Sequence, residues 1–208
     1  SKMEIIRRYF RYRCEYAMGF ADRETVQRAE LLMRDFNLMP EDRPVVIPAR
    51  ETAGVAPAEA RDYARGNEGI FCGAALELKN GTIVTGSNSS LMHAATSMVL
   101  HAVKHLAEIP DKIKLLPPRI TDSVKNLKTE ILDEKSVSLD LEEALIAISI
   151  SATNNPAAQL ALEKLRDLRD CEAHMTHIPT PGDEAGLRRL GINLTTDPNF
   201  STNDLFIT

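Results

Sequence analysis

Two short segments of the sequence carry side chains that could bind an anion or move a proton. The first is the run Ser87-Asn88-Ser89-Ser90, which comes directly before a long helical pattern over residues 91–107. Unpaired backbone amides and the helix dipole at a helix start can hold a phosphate or a carboxylate. An ordinary helix cap is the alternative, and it would use one or two of these four residues. The candidates here are Asn88, Ser89 and Ser90 for ligand binding, and His93, within the helical pattern, for proton transfer.

The second segment is the loop over residues 176–184, between a predicted strand and a predicted helix. Open α/β sheets bind ligands at the carboxyl ends of their strands, which is where this loop would lie. Asp183 and Glu184 could form a general acid–base pair with His177 or His93. Acidic residues in a first helical turn are equally expected from the helix dipole alone. The remaining ligand-binding candidates are Thr180, Gly182 and Arg119, the last because it follows another predicted strand and could clamp an anion.

These residues do not complete a zinc site. A zinc deaminase needs a glutamate two residues after its first ligand and a Pro-Cys-x-x-Cys pair for the other ligands. Ala95 occupies the glutamate position after His93, and no Cys pair follows it. His101 and His105 have the i, i+4 spacing of zinc proteases, but no glutamate lies between them. We therefore predict no metal ion and no cofactor, and metal-dependent hydrolysis ranks last among the possible activities.

An alternation of helices and strands must position these residues. Asn80-Gly81 lies between two apolar runs and predicts a β-hairpin with a type I′ turn. Residues 141–151 fit either a strand or a helix, and the capping pair Asp140 and Glu143 favours a helix. The predicted helices cover residues 2–17, 23–36, 57–65, 91–107, 120–132, 141–151, 156–169 and 183–190. The predicted strands cover residues 45–47, 69–78, 82–85, 113–116, 171–178 and 192–195.

This order of elements predicts the α/β class, with helices layered on a sheet. The first two helices would form a helical hairpin, so we divide the chain into a hairpin with its connector, residues 1–48, and an α/β domain, residues 49–208. The helical patterns at about residues 119–169 would form an insertion in that domain. The chain opens on a capping pair, Ser1 and Glu4, and not on Met, which suggests that an upstream part is missing.

Two stretches resemble the cytidine-deaminase scaffold. Residues 73–88, with the Asn80-Gly81 turn, look like the hairpin that leads into the helix bearing the first zinc ligand. The string Gly186-Leu187-Arg188-Arg189-Leu190-Gly191-Ile192-Asn193-Leu194 looks like the last helix and strand of that scaffold. The resemblance implies a three-layer, deaminase-like mixed sheet flanked by helices, here without the zinc chemistry.

Longer strings resemble a bacterial family of domains of unknown function, number 1846. The strings are Ile5-Ile6-Arg7-Arg8-Tyr9, Gly69-Ile70-Phe71-Cys72-Gly73-Ala74-Ala75, Asn155-Pro156-Ala157-Ala158-Gln159-Leu160-Ala161 and Leu187-Arg188-Arg189-Leu190-Gly191-Ile192-Asn193-Leu194-Thr195. This resemblance implies that the chain is the C-terminal portion of a protein about twice as long. The missing N-terminal domain would then be an α/β domain with a Gly-rich, phosphate-loop-like segment, and it would be the first partner of this chain.

Composition excludes several classes of protein. The chain has 208 residues, 43% of them hydrophobic and 26% charged, as in an ordinary globular domain and unlike a disordered chain. A net charge of −5 disfavours a nucleic-acid partner. No apolar run approaches the roughly 18 residues of a membrane span. Three cysteines far apart in the sequence favour a reducing, cytoplasmic location over a disulfide framework.

Two functions remain open from the sequence. The first is a small-molecule module on a zinc-less, deaminase-like scaffold that binds a nucleotide-like or phosphorylated ligand, with or without catalysis. The alternative is a non-catalytic module for oligomerisation, as a homo-oligomer, or for docking of the upstream domain.

Overall fold

The fold is built around a mixed sheet of four strands. The computed structural model describes residues 1–54, 67 and 69–201, so the helix predicted at 57–65 lies outside the described residues. The strands are β1 (Gly73–Glu77), β2 (Ile83–Ser87), β3 (Glu172–Met175) and β4 (Asn193–Thr196), in the order β2-β1-β3-β4. β1 is antiparallel to β2 and β3, and β3 is parallel to β4. The predicted α/β class with a mixed sheet is confirmed.

Helices cover the sheet. In the described part of the chain these are α1 (Lys2–Ala17), α2 (Arg23–Asp35), α3 (Val46–Gly54), α4 (Ala94–Leu106), α5 (Pro118–Asn126), α6 (Leu141–Ser151), α7 (Pro156–Lys164) and α8 (Pro181–Leu190). Alternate residues of β1 face different layers, as the period of a strand requires. Ala75 packs with Val45 and Ala49 of the α3 region, whereas Ala74 and Leu76 join the main core with α4. The sheet therefore lies between two layers of helices.

Two glycines allow helices to approach the sheet closely. A Cβ atom on Gly73 would lie 2.1 Å from the carbonyl oxygen of Ala49 in α3. A Cβ atom on Gly86 would lie 2.2 Å from the backbone nitrogen of Met98 in α4. Both distances are far below van der Waals contact, so the positions of α3 and α4 on the sheet depend on the absence of these side chains.

The β1–β2 hairpin forms as predicted, but its turn is of a different type. A type I′ turn needs positive φ at both central residues, and of Asn80 and Gly81 only Gly81 has it, at +83°. The N–H of Gly81 donates to the carbonyl of Leu78 at 2.8 Å, and the N–H of Leu78 donates to the carbonyl of Thr82 at 2.8 Å. The loop is therefore a three-residue connection with glycine in the left-handed position.

Two predicted strands are wrong. Residues 45–47 enter α3, where Val45 and Val46 are fully buried, so packing against the sheet outweighs the strand preference of β-branched residues. Residues 113–116 form no strand, although Leu115 and Leu116 are buried. Their apolar pattern reflects the burial of these side chains under the helices and not pairing in the sheet.

The helix over residues 141–151 is confirmed. Asp140 accepts a hydrogen bond from the N–H of Glu143 at 2.9 Å, and the Glu143 carboxylate accepts from the N–H of Asp140 at 3.0 Å. The analogous pair at Ser1 and Glu4 was expected to cap α1, but the Ser1 side chain makes no capping bond.

A buried arginine links the N-terminal region to the sheet. Arg43 is 1% exposed. Its guanidinium donates to the carbonyls of Ala173 and Asn193, at 2.9 and 2.8 Å, and it pairs with the carboxylate of Glu172. Apolar residues of α1, α2 and the following segment form a separate cluster beside it: Ile6, Phe10, Met33, Leu38 and Val46. The division of the chain into units at residue 48 remains a prediction.

Among the described residues, none of the helices has the length and hydropathy that a membrane span requires.

Candidate functional site

A cavity of about 410 Å³ brings together most of the residues singled out from the sequence. It lies where the segments after β2 and β3 meet the starts of α4 and α8. The predicted residues among its lining are Asn88, Ser89, His93, His177, Thr180 and Asp183. The loop after β3 therefore does lie beside the segment before α4, as a site at this edge of the sheet requires.

The central feature of the cavity is a contact between His93 and Asp183. Nδ1 of His93 lies 2.7 Å from Oδ2 of Asp183, although 90 residues separate them in the sequence. Because an ionised carboxylate can only accept, Nδ1 carries the proton in this hydrogen bond. Nε2 has no hydrogen-bond partner within the described part of the chain, and the His93 side chain remains 25% exposed. His93 thus offers a free ring nitrogen to a ligand.

Asp183 is held in place by two further donors. It is 2% exposed and lies in the first turn of α8. Its Oδ1 accepts from the N–H of Leu141 at 2.9 Å, and its Oδ2 accepts from the hydroxyl of Thr180 at 3.0 Å. Leu141 is the first residue of α6 and Thr180 is the N-cap of α8. One buried carboxylate therefore joins the starts of two helices and orients the imidazole of His93.

His93 itself forms the start of a third helix. It is the N-cap of α4. Its N–H donates to the carbonyl of Leu139, and the N–H of Leu139 donates to the carbonyl of Leu91, both at 2.9 Å. Residues 91–93 are therefore extended and paired with Leu139, so α4 begins three residues later than the helix predicted from the sequence. The starts of α4, α6 and α8 converge on the His93–Asp183 pair.

Protonation of the cavity residues differs from residue to residue. Burial lowers the pKa of His93, while the hydrogen bond and charge of Asp183 raise it, and the pKa ends above its ordinary value. Burial lowers the pKa of His177, whose Nδ1 lies 2.8 Å from the hydroxyl of Thr176. Burial also raises the pKa of Asp140, and the charges of Glu143 and Asp183 add to the rise. Of the two histidines, His93 therefore has the higher pKa and is protonated to the greater extent at a given pH.

The run before α4 does not cap the helix as predicted. The side-chain oxygen of Asn88 accepts from the N–H of Cys72 at 2.8 Å, and its amide donates to the carbonyl of Ile70 at 2.9 Å. The hydroxyl of Ser89 accepts from the N–H groups of Leu91 and Met92, at 3.2 and 3.3 Å. Both residues line the cavity, but their polar groups stabilise the chain that forms its wall.

Four predicted site residues lie outside the cavity lining. Ser90 and Glu184 are exposed, and so is Arg119, which belongs to the first turn of α5 and follows no strand. Gly182 packs against Asp140, since a Cβ atom there would lie 2.0 Å from a carboxylate oxygen of Asp140. Its role in ligand binding remains a prediction without a contact that supports it.

Other lining residues were missed because they come from distant segments. Cys72 lies just before β1, and Lys135, Ser136 and Ser138 come from the segment before α6. Burial raises the pKa of the Cys72 thiol to about 12, with the charge of Asp183 adding to it, so the thiol stays protonated. No local pattern in the sequence marks these residues as neighbours of His93.

The remaining histidines do not join this site. His101 has Nδ1 2.7 Å from the carbonyl of Thr85 at the surface, and His174 packs its ring 4.8 Å from that of Phe10. Across the described ranges, no group of three or more His, Cys, Asp or Glu side chains is arranged to hold a metal ion.

Comparison with known proteins assigns the chain to a family. The family model described as "Domain of unknown function DUF1846, C-terminal" matches residues 41–206. The chain belongs to the DUF1846 family. A UPF0371 protein of Clostridium botulinum (strain Alaska E43 / Type E3) is 46% identical over 206 residues. A UPF0371 protein of Clostridium tetani (strain Massachusetts / E88) is 44% identical over 206 residues.

These relatives are much longer than the chain. In both cases the match covers 99% of this chain and 40% of the relative. The chain thus spans less than half the length of the curated relatives it matches. The DUF1846 model that matches is a C-terminal one, so the larger share of the relatives' length includes a region that precedes the matched part. The family resemblance seen in the sequence is confirmed, whereas the likeness to the deaminase scaffold remains a hypothesis.

Proposed function

We propose that the cavity beside His93 binds a small phosphorylated or nucleotide-like molecule, and that His93 exchanges a proton with it. The observation that carries this proposal is the His93–Asp183 hydrogen bond of 2.7 Å at the wall of a cavity of about 410 Å³. A carboxylate that fixes Nδ1–H leaves Nε2 as the reactive nitrogen, which is the arrangement of a general acid or base.

The charge around the cavity supports an anionic ligand. The starts of α4, α6 and α8 meet at the His93–Asp183 pair, and each helix start carries a partial positive charge. Protonation of His93 would balance the carboxylate of Asp183 and place an Nε2–H donor in the cavity. We therefore expect a phosphate to bind the protonated form of His93 and to bind more tightly as the pH falls.

The polar lining supports a ligand with hydroxyl groups in addition to its phosphate. Ser136, Ser138 and Ser89 line the same cavity as His93. The Ser138 hydroxyl donates to the carbonyl of Ser89 at 3.1 Å, so its oxygen can still accept a further bond. Such a lining, with Ile70, Met175 and Ile178 as apolar neighbours, suits a sugar or nucleoside better than a bare inorganic ion.

The proposal includes a deaminase-like scaffold, which would account for the position of the site in the fold but not for its chemistry. Ala95, two residues after His93, is buried in α4 and cannot transfer a proton. The chemistry would depend on His93 and Asp183 instead. We likewise propose a cytoplasmic location, because the cysteines of the described residues are all free and buried.

Thermal unfolding with a panel of nucleoside monophosphates and sugar phosphates tests the proposal. A ligand at about 100 times its Kd stabilises the folded state by about 2.7 kcal/mol. At about 2–4 °C per kcal/mol for a chain of this size, Tm should rise by about 5–11 °C. The rise should be larger at about pH 6 than at about pH 8, because the proposed ligand selects protonated His93.

His93→Gln and Glu184→Gln form a matched pair of variants for this experiment. His93→Gln removes the titrating nitrogen and should abolish the ligand-induced rise in Tm. Glu184→Gln removes a charge from the same helical turn as Asp183 but outside the cavity, and should leave the rise unchanged. The proposal is wrong if no compound in the panel raises Tm, or if His93→Gln retains the full rise.

A further inference from the structure

A second region of the molecule, at the edge of the sheet, has backbone groups without partners among the described residues. β4 is the last strand of the sheet, and among the described residues it pairs on one side only, with β3. The N–H groups of Asn193 and Asp197 donate to the carbonyls of Cys171 and Met175, both at 2.9 Å. Because N–H groups alternate in direction along a strand, those of Leu194 and Thr196 point away from β3. Neither has a hydrogen-bond partner among residues 1–54, 67 and 69–201.

The open side of β4 forms the floor of a groove. A cavity of about 850 Å³ runs along this strand, with α1 and α8 as its walls. Arg7, Arg8 and Arg11 line it from α1, and Leu187 and Arg188 line it from α8. The carbonyl of Thr196 accepts from the thiol of Cys14 in α1 at 3.3 Å. The N–H and carbonyl of Leu194 and the N–H of Thr196 therefore remain available to a molecule in the groove.

The three arginines that line the groove from α1 each pair with a carboxylate. Arg8 pairs with Glu4 at 3.0 Å and Arg11 pairs with Glu15 at 3.1 Å. Arg7 pairs with Glu172 of β3, which also accepts from Asn193 at 3.0 Å. In the described part of the chain Nε of Arg7 is buried without a hydrogen-bond partner, and the outward backbone groups of Leu194 and Thr196 add a row of unmet donors and acceptors along the strand. Backbone groups of an open strand are recognised by another extended backbone.

We propose that an extended segment adds to β4 as a fifth strand of the sheet, and that it comes from the region upstream of α1 in the longer protein. Relatives have the larger share of their length outside the matched part. The wall that α1 forms runs the length of the helix and begins at Glu4, in its first turn, so a chain that leads into Lys2 arrives beside the groove. A segment attached there has a high effective concentration at β4. Pairing would also protect an edge that otherwise invites aggregation.

Amide hydrogen exchange on the 208-residue chain and on the longer protein that contains it tests this proposal. The amides of Leu194 and Thr196 should exchange at least about tenfold more slowly in the longer protein. Those of Asn193 and Asp197 are bonded to β3 in both and serve as internal controls on the same strand. Equal exchange of Leu194 and Thr196 in the two proteins would overturn the proposal.

A pair of variants separates strand addition from simple covering of the groove. Leu194→Pro removes the outward N–H at a position where an edge strand tolerates proline, and Leu194→Ala keeps that N–H while losing the side chain. In the longer protein, Leu194→Pro should restore fast exchange at Thr196, and Leu194→Ala should not. Slow exchange at Thr196 in both variants contradicts a fifth strand. Protection that appears in the short chain and grows with its concentration instead identifies a second copy as the occupant, which also overturns the proposal.

Discussion

Replacing Asp183 by asparagine should move the proton of neutral His93 from Nδ1 to Nε2. Asparagine keeps one side-chain oxygen. This oxygen can still accept from the N–H of Leu141, which lies 2.9 Å from Oδ1 of Asp183 in the wild type. Its amide then faces Nδ1 of His93, which the carboxylate contacts at 2.7 Å. An amide donates where a carboxylate accepts, so the neutral imidazole must accept at Nδ1 and carry its proton on Nε2. The cavity would then meet a donor where neutral wild-type His93 offers an acceptor.

The same substitution should destabilise the folded state. A hydrogen bond to a charged group contributes about 1.5–3 kcal/mol, and Asp183→Asn weakens the charged bonds that His93, Thr180 and Leu141 make to this carboxylate. We expect a net loss of about 2–4 kcal/mol, because the amide retains part of the network and the effects are not additive. For a chain of this size the loss corresponds to a fall in Tm of about 4–16 °C.

The stability difference should depend on pH in one direction. Asp183 holds the pKa of His93 above its ordinary value, against the effect of burial. A raised pKa in the folded state adds stability that is complete below the unfolded pKa of about 6.5 and disappears as the pH rises through the folded pKa. Wild type should therefore exceed Asp183→Asn in stability by more at about pH 5.5 than at about pH 8.5.

Two measurements test these effects of Asp183→Asn on the His93 tautomer and on stability. The ¹⁵N shifts of the His93 ring report which nitrogen carries the proton, and urea unfolding at the two pH values reports the stability difference. Glu184→Gln is the control, since it removes a neighbouring charge from the first turn of α8 without touching His93. Unchanged His93 tautomer and titration in Asp183→Asn would refute the argument that the carboxylate governs this imidazole.

Two further predictions concern the walls of the cavity and the sheet. Gly86→Ala should destabilise the protein by at least about 1–3 kcal/mol in urea unfolding, since the new Cβ would meet the backbone of α4 at Met98. Gly54→Ala should be close to neutral, because among the described residues beyond its own helix and chain neighbours no atom lies within 4 Å of the new Cβ. Cys72 should resist iodoacetamide at about pH 8 in the native state, because its pKa of about 12 leaves almost no thiolate, and should react once urea unfolds the chain. Rapid alkylation of native Cys72 would contradict its burial.

The sequence predicted helix starts and ends reliably where the polar backbone groups at the helix end pair with a residue only a few positions away. The capping pair Asp140 and Glu143 identified the start of α6 in a segment whose apolar pattern fits either a strand or a helix. Asn155 caps α7 by accepting from the N–H groups of Ala157 and Ala158. Gly191, in the left-handed conformation, ends α8. In each case the residue that caps or ends the helix and the backbone groups with which it pairs are neighbours in the chain.

The candidate site could be predicted only in part. His93 and Asp183 were both singled out, but each among several alternatives, because their contact depends on how α4 docks beside α8. The start of α4 was placed too early, since Ser89 and Ser90 look like helix caps. Ser89 instead closes a turn, and pairing with Leu139 keeps residues 91–93 extended. Pairing of this kind, across more than 40 residues, leaves no periodic trace in a single sequence.

The position of Asp183 implies that stability and ligand binding cannot be varied independently at this residue. Its carboxylate accepts hydrogen bonds from the N–H of Leu141 at the start of α6, from the hydroxyl of Thr180 at the start of α8 and from the imidazole of His93 at the start of α4. A ligand that binds protonated His93 stabilises the positive charge that the carboxylate faces, and so acts on three helices at once. Binding should therefore raise the stability of α6 as well as that of the cavity wall. His93→Gln separates the two roles, because it removes the titrating nitrogen and leaves Asp183 with its bonds to α6 and α8.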